Sequence, residues 1–553
     1  IFEELNIGSI IHQVSTSHQM TTIPIIRGNT FKNIRINNPY GDDEHKYPFI
    51  FRMTNDCNIF NIDNNTFNNY FTSEGGFGGL IYMNTNNKLS INFNECYFLN
   101  NHQDREGGGF TSSNNYNGGQ YSVNFYDCYF ESNSGQLKGG AISLKTNHET
   151  QITNCIFKSN SITGSKEAEN EGGCIYCENQ DLIITKSIFE NNECIQGSAI
   201  YIKGSGTKLT IKDETTFINN YKREYEQQQY IIITESQENN IISSIFKEEN
   251  NNYNQKIGCI ELNHKGNHNI NFCSFQTIKT DQVIHYHPSN ICTKEDYLTI
   301  ENCQFKNCIG KCLYFDVQTK SSENINVRNT IFENCIKYPI DTEHANAIGA
   351  SNSADSISLN IENNTFLNCG TNDYVLYLEI DTNVNTPPKI EINDNTFKFD
   401  DPSKSCVGIR IIQTSREVLV HNCTFEKCVK IDRAPWENTF SASGLSSIII
   451  EECKFLNCGP GGDGGMIIAI EKSVQNNIIQ NCSFISDNEW SPCGCGISTF
   501  TSNNYIIGNY FQNCISPTIR IEISNEGETN FEIIENHFYK CNKAELIKQD
   551  GGN

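Results

Sequence analysis

Cys453-Lys454-Phe455-Leu456-Asn457-Cys458 is the phrase to which this chain keeps returning: a phenylalanine, often with a thiol two places before it and often with Asn or Cys three places after. Its counterparts align on Phe31, Phe67, Phe98, Phe130, Phe157, Phe189, Phe217, Phe246, Phe275, Phe305, Phe332, Phe366, Phe397, Phe425, Phe455, Phe484, Phe511 and Phe538. Their spacing averages about 30 residues, and a period in that range marks a solenoid. A chain of 553 residues would otherwise suggest several domains, but a repeat array grows by adding units.

Around each phenylalanine the grammar is constant. A short alternating strand, such as Leu89-Ser90-Ile91-Asn92-Phe93, leads into Cys96-Tyr97-Phe98. Alternation of period two puts Cys96 and Phe98 on one strand face. A polar turn follows, then a variable loop, then a glycine-led apolar strand such as Gly139-Gly140-Ala141-Ile142-Ser143-Leu144. A β-sandwich gives no reason to repeat one phrase in nearly fixed phase. Stacked parallel coils do, because equivalent residues then lie on one another at the strand spacing of about 4.8 Å. The expected fold is all-β: a right-handed, single-stranded parallel β-helix of about 18 coils, since parallel crossovers are right-handed in nearly all cases. Residues 1–50 read as an N-terminal cap with an irregular first coil, 51–542 as the β-helix and 543–553 as a polar tail that caps it. The irregular stretches 221–240, 277–297, 340–356 and 430–446 read as outward loops, where recognition usually sits.

The inward ladder is expected to comprise Phe98, Phe130, Phe157, Phe189, Phe305, Phe332, Phe366, Phe425, Phe455, Phe484, Phe511 and Phe538. Phe425→Ala should cost roughly 3–5 kcal/mol, and loss of Phe440, which falls outside the phase, much less. Cysteines form two columns beside the ladder, with Cys303, Cys423, Cys453 and Cys482 before the phenylalanine and Cys308, Cys428, Cys458, Cys514 and Cys541 after it. Equivalent Cα atoms about 4.8 Å apart are close enough for disulfides, but stacked side chains point the same way and make the required torsion awkward. Thiol ladders are therefore expected, with buried Cys acting as a small apolar filler.

The paired phrases Gly-Gly-Ala-Ile and Phe-x-x-Asn resemble the repeats of the chlamydial polymorphic membrane proteins and of similar proteins in parasitic protists. Gly139-Gly140-Ala141-Ile142 is a full match, and Gly172-Gly173-Cys174-Ile175 and Gly197-Ser198-Ala199-Ile200 are near ones. Phe98/Asn101, Phe130/Asn133, Phe157/Asn160, Phe189/Asn192 and Phe217/Asn220 supply the second half, best over residues 67–220. The resemblance implies a surface-exposed β-helical passenger with a role in adhesion. Nothing in the chain matches that family's membrane-anchoring β-barrel.

A formal charge of −24 without a basic block argues against a nucleic-acid partner. No run of about 18 apolar residues exists to insert in a membrane. The 25 cysteines fit an extracellular history. The chain opens on Ile1 without a charged-then-apolar leader and reads as a processed or truncated product. Asn64, Asn363, Asn422 and Asn481 begin N-x-[ST] glycosylation sequons.

Enzymes on this fold degrade acidic polysaccharides with clustered Asp residues and a Gly-His-Gly phrase. The chain has Asp42-Asp43 and Asp400-Asp401 but no Gly-His-Gly, and its charge disfavours polyanions. For metals, Asp281, His285 and His287 could share a strand face, but a polar loop usually leaves such histidines solvated. Cys174 and Cys177 should face opposite sides of a strand. Cys493-Gly494-Cys495 is a lone pair, Asp432-Arg433 is isolated, and Gly461-Gly462-Asp463-Gly464-Gly465 reads as a turn. No catalytic, cofactor or metal residue is assigned, and surface acids would hold calcium only loosely. The expectation is a non-catalytic structural or adhesive β-helix outside the cell or on its surface. Its partner would be a host or matrix protein, a glycan, or copies of itself. A polysaccharide lyase or hydrolase is the alternative, and a filament subunit a further one.

Overall fold

The computed structural model describes the chain except residues 1, 4–8, 15–24, 37–48, 55–58, 73–78, 85–88, 105, 114–120, 146–147, 165–169, 223–228, 250–256, 289–291, 317–323, 337–347, 353–357, 370–373, 381–389, 401–406, 413–416, 431–438, 461–466, 472–473, 488–495, 502, 515–517, 523–529, 542–546 and 551–553. It forms two compact units, Ile1–His264 and Lys265–Asn553. Each is a stack of parallel coils, and the protein is an all-β parallel β-helix.

One coil of the first unit shows the plan. Leu182–Thr185 forms the first side with the burial pattern buried, intermediate, buried, intermediate. The chain turns and Ile188–Glu190 forms a short second side with only Phe189 inward. A second turn leads through Glu193–Cys194 to Ile200–Lys203, the third side. The next coil repeats this in register: Leu182 lies against Leu209, Phe189 against Phe217 and Ile200 against Ile232. Alternating Ile, Leu and Val suit such strands because every second side chain enters the core.

The phenylalanines stack on themselves. In the first unit, ring centroids from Phe98 to Phe246 are 4.4, 4.7, 4.8, 4.9 and 4.7 Å apart. In the second unit, Phe305, Phe332, Phe366 and Phe397 follow one another at 4.9, 4.8 and 4.8 Å. Phe425, Phe455, Phe484, Phe511 and Phe538 continue at 4.8, 4.9, 4.8 and 5.1 Å. Phe98 and Phe130 are wholly buried, as are their counterparts up to Phe511.

The second-side strands begin one coil earlier than the repeat suggests. Phe2–Glu3 pairs with Thr30–Lys32, Phe2 in register with Phe31, so among the described residues the second side counts 19 strands rather than 18. Strands already occur within residues 1–50, with Ser9–Val14 lying on Phe49–Thr54. In the tail, Ile547–Asp550 pairs with Ile519–Glu522. The stretches read as outward loops also contribute third-side strands: Gln229–Thr234, Lys279–Tyr286, Ile348–Asn352 and Phe440–Ala442.

Phe440 corrects a sequence expectation. It is wholly buried between Ile409 and Ile468 on the third side. It lies outside the phenylalanine phase because that phase reports the second side only. Its truncation belongs with the costly core substitutions.

The glycine phrases answer to close backbone approach. Gly139 has φ +63°, and a Cβ there would meet the Ile142 carbonyl oxygen at 2.1 Å. A Cβ on Gly140 would stand 2.1 Å from the Gly173 oxygen of the next coil.

Both turns flanking the second side place one residue outward in the left-handed region and the next inward. Asn predominates among the outward residues, as at Asn100 (φ 53°), Asn154 (54°) and Asn191 (55°), because it tolerates this conformation better than most residues. The inward residue makes a relay. Asn160 Nδ2 donates to the Phe130 oxygen of the preceding coil at 3.1 Å. Its Oδ1 accepts from the Asn133 main-chain N–H at 3.0 Å and from Asn133 Nδ2 at 2.9 Å. Asn101, Asn133, Asn192 and Asn220 repeat this arrangement. All five are buried.

Asn160→Ala should leave two donors and one carbonyl without these partners and cost about 2–4 kcal/mol. Asn160→Cys, which restores a donor to the Phe130 carbonyl, should recover part of that loss. Urea unfolding of the three proteins checks the order wild type, Cys, Ala. Equal midpoints would refute the relay.

Candidate functional site

The same inward corners hold the cysteine columns, and the geometry explains why Cys stands where Asn stands elsewhere. Cys308 Sγ lies 3.6 Å from the Phe275 oxygen, Cys428 3.7 Å from Phe397, Cys458 3.2 Å from Phe425 and Cys514 3.8 Å from Phe484. These are the equivalents of the carbonyl that Asn160 satisfies. In the other column, Cys303, Cys423, Cys453 and Cys482 reach Ile270, Ile392, Val420 and Ile450 at 3.5, 3.3, 3.6 and 3.5 Å. Asn364 and Asn509 reach Val327 and Ile479 there, each at 2.8 Å. A thiol is thus a weak donor in place of an amide.

No disulfide joins any of the described cysteines, and all of these except Cys541 are buried. Burial pushes the Cys423, Cys453 and Cys458 thiols well above their ordinary range. Cys541, half-exposed, differs: a hydrogen bond from Cys514 draws its thiol down to about 6.

Cys174 and Cys177 are both buried rather than split between faces, because Cys174 belongs to the glycine-led turn that precedes the strand Ile175–Glu178. His285 and His287 stand side by side, ring centroids 5.6 Å apart, but among the described residues they form no three-ligand group with Asp281. Asp281 is exposed, His285 lies 5.3 Å from the Tyr314 ring, and His287 pairs with Asp316 at 3.4 Å. Asp400 is exposed and accepts from Asn368. Asp42-Asp43, Asp401, Asp432-Arg433, Gly461–Gly465, Cys493 and Cys495 lie outside the described residues. Among the described residues, Cys308, Cys312 and Cys335 have sulfurs within 4.8 Å of one another, and Cys312 belongs to neither column.

Outside the core, the second unit carries a polar groove of about 620 Å³. Glu301, Arg328 and Glu362 end successive first-side strands. Asn329, Asn363, Asp394 and Asn422 are left-handed corner residues, and Thr396 and Thr424 open second-side strands. Together they line the groove. Arg328 Nη2 donates to Glu301 Oε2 at 3.2 Å. Asn329 Nδ2 donates to Glu301 Oε1 at 3.2 Å, and Asn363 Nδ2 to Asn329 Oδ1 at 2.7 Å. Asn422 Nδ2 donates to Asp394 Oδ1 at 2.6 Å. Three carboxylates against one guanidinium make the groove acidic.

Two of the four sequon residues, Asn363 and Asn422, stand in this groove. Asn64 and Asn481 occupy the same kind of corner, with φ 50° and 54°, and are likewise exposed. Aligning residues three and four places before each phenylalanine would have revealed the groove in the sequence. Glu301, Arg328, Asn329, Glu362, Asn363, Asp394 and Asn422 all fall at those offsets.

The first unit has a different outward cluster on its third side. Tyr176 and Tyr201 stack at 6.1 Å, and Lys138 Nζ stands 4.7 Å from the Tyr176 ring centroid. Lys138 also pairs with Glu171 at 3.2 Å, while the Tyr176 and Tyr201 hydroxyls donate to Glu178 at 2.9 Å and Glu235 at 3.1 Å. Tyr176 is fully buried, so its role here is packing.

Iodoacetamide should modify Cys541 ahead of the other described thiols of the native chain. Only thiolate reacts, so the rate should climb as pH rises through about 6 and then level off. Cys514→Ala should move that rise to higher pH, and peptide mass mapping reads both effects. Uniform labelling would contradict the assignment.

No protein-family model matches the chain, and no curated protein matches it. Among solved structures, it is similar to a mutant tailspike protein of E. coli bacteriophage HK620 in complex with a pentasaccharide. That likeness has a TM-score of 0.29 and 10% identity, and covers 91% of this chain and 71% of the other.

Proposed function

We propose that the chain is a non-catalytic structural and adhesive β-helix, displayed outside the cell or on its surface, that presents a polar face to a glycan. The observation that carries this reading is the groove of the second unit. Its amides, hydroxyls and carboxylates recur along successive coils, at a repeat of about 4.8 Å. Such groups donate to and accept from sugar hydroxyls, and a scaffold locked by stacked corners holds them in place without ordering cost on binding. The acidic balance of Glu301, Glu362 and Asp394 against Arg328 favours neutral or amino sugars over uronates. A glycan attached to Asn363 or Asn422 would itself occupy the groove, so binding requires those residues bare. The resemblance to surface-exposed repeat passengers agrees with such a role.

The test is a glycan array probed with the full chain made in a host that does not N-glycosylate. Neutral or amino-sugar oligomers should bind at micromolar concentration and uronate oligomers should not. Glu362→Ala should weaken binding about tenfold, the order expected for losing one charge-assisted hydrogen bond. Absence of binding at micromolar concentration would remove the adhesive part and leave a scaffold. New reducing ends or unsaturated products would replace adhesion with catalysis.

A further inference from the structure

The thiol columns set one sulfur beneath the next, so within a column each thiol meets neighbours only above and below. One rung of the second unit breaks that rule. Cys308 and Cys335 are successive members of one column, and Cys312 joins them from the third-side strand Ile309–Phe315. The three sulfurs lie within 4.8 Å of one another, and all three residues are wholly buried.

A local backbone device accompanies this. Gly310 has φ +116°, and a Cβ there would meet the Thr280 oxygen at 1.7 Å. The pairing between Lys279–Tyr286 and Ile309–Phe315 shifts register beside it. Gly310 N–H donates to Ile336 O at 2.7 Å, and Ile336 N–H to Cys308 O at 2.8 Å. These bonds tie the turn of Cys308 to that of Cys335 while the strand carrying Cys312 leaves between them.

We propose that Cys308, Cys312 and Cys335 form a three-sulfur site for one soft cation, Cu(I). A metal about 2.3 Å from each of three sulfurs needs them about 4 Å apart, so the group must close by less than an ångström. Thiolates select soft cations. Among the described residues no fourth His, Cys, Asp or Glu joins the trio, whereas structural zinc almost always takes four ligands. Binding replaces S–H bonds with S–Cu bonds and releases one proton to solvent for each thiolate formed. Neither copper nor sulfur changes oxidation state.

The reduced full chain is incubated with Cu(I) under argon and then challenged with bicinchoninate, comparing wild type, Cys312→Ser and Cys369→Ser. Cys369 is the next member of the column and lies outside the trio. Wild type and Cys369→Ser should retain one more equivalent of copper per chain than Cys312→Ser, at a chelator level at least tenfold higher. Copper X-ray absorption of the wild type should show three sulfur neighbours at about 2.3 Å, a readout independent of whether the variant folds. Equal retention in wild type and Cys312→Ser, or two-coordinate copper in the wild type, would overturn the proposal.

Discussion

Every inward corner flanking the phenylalanine sides faces two neighbours at once, and that constraint selects its side chain. Below lies a main-chain carbonyl of the preceding coil, whose second lone pair accepts from the corner side chain. Above lies the next coil, whose own corner side chain must accept this corner's N–H. A buried polar group without a partner costs about 1–3 kcal/mol, and a stack of coils repeats the demand at each step. Asn meets both ends: Asn133 donates to Phe98 O at 2.9 Å while its N–H gives to Asn160 Oδ1 at 3.0 Å. Ser and Thr supply the acceptor alone in places, as where Cys155 N–H meets Ser187 Oγ at 3.1 Å and Cys303 N–H meets Thr330 Oγ1 at 3.4 Å.

Substituting Cys changes the chemistry of the corner without changing its shape. The thiol keeps a weak donor toward the carbonyl and adds an apolar, polarizable surface to the core. The columns therefore exchange Asn and Cys freely, and the phenylalanine stack beside them runs through each unit undisturbed. The outward corner residue, held left-handed, is freed from packing. That is where Asn329, Asn363, Asp394 and Asn422 of the groove and all four sequons sit, so the demand that fixes the interior also sets the spacing of polar groups outside.

The coil architecture was legible in the sequence because one side of each coil is a three-residue strand with a single inward phenylalanine. Period two around Phe98 or Phe455 cannot be satisfied by a helix. The third side was poorly legible: its inward residues vary among Ile, Leu, Cys, Thr, Tyr, Ala and Phe, and Phe440 consequently looked out of place. Phe2 was missed because only two residues of its strand pair, and no preceding motif marks it. The Asn and Cys columns could be counted but not interpreted, since the preceding-coil carbonyl each one meets lies 30–39 residues away in the chain. Cys312 gave no signal, because its approach to Cys308 and Cys335 depends on a register shift beside Gly310 that spacing does not encode. The groove was written at constant offsets from the phenylalanines, yet charged and amide residues at outward turns read as ordinary solvated surface.

Scalar coupling across hydrogen bonds in a deuterated, 15N/13C-labelled sample tests the corner relay at its own atoms. The account predicts a correlation from the Asn133 main-chain 15N to the Asn160 side-chain 13Cγ, and another from Asn160 to Asn192. The contradicting result would be both correlations absent from a spectrum in which couplings across the sheet pairs Phe130–Phe157 and Ile184–Ile211 are seen.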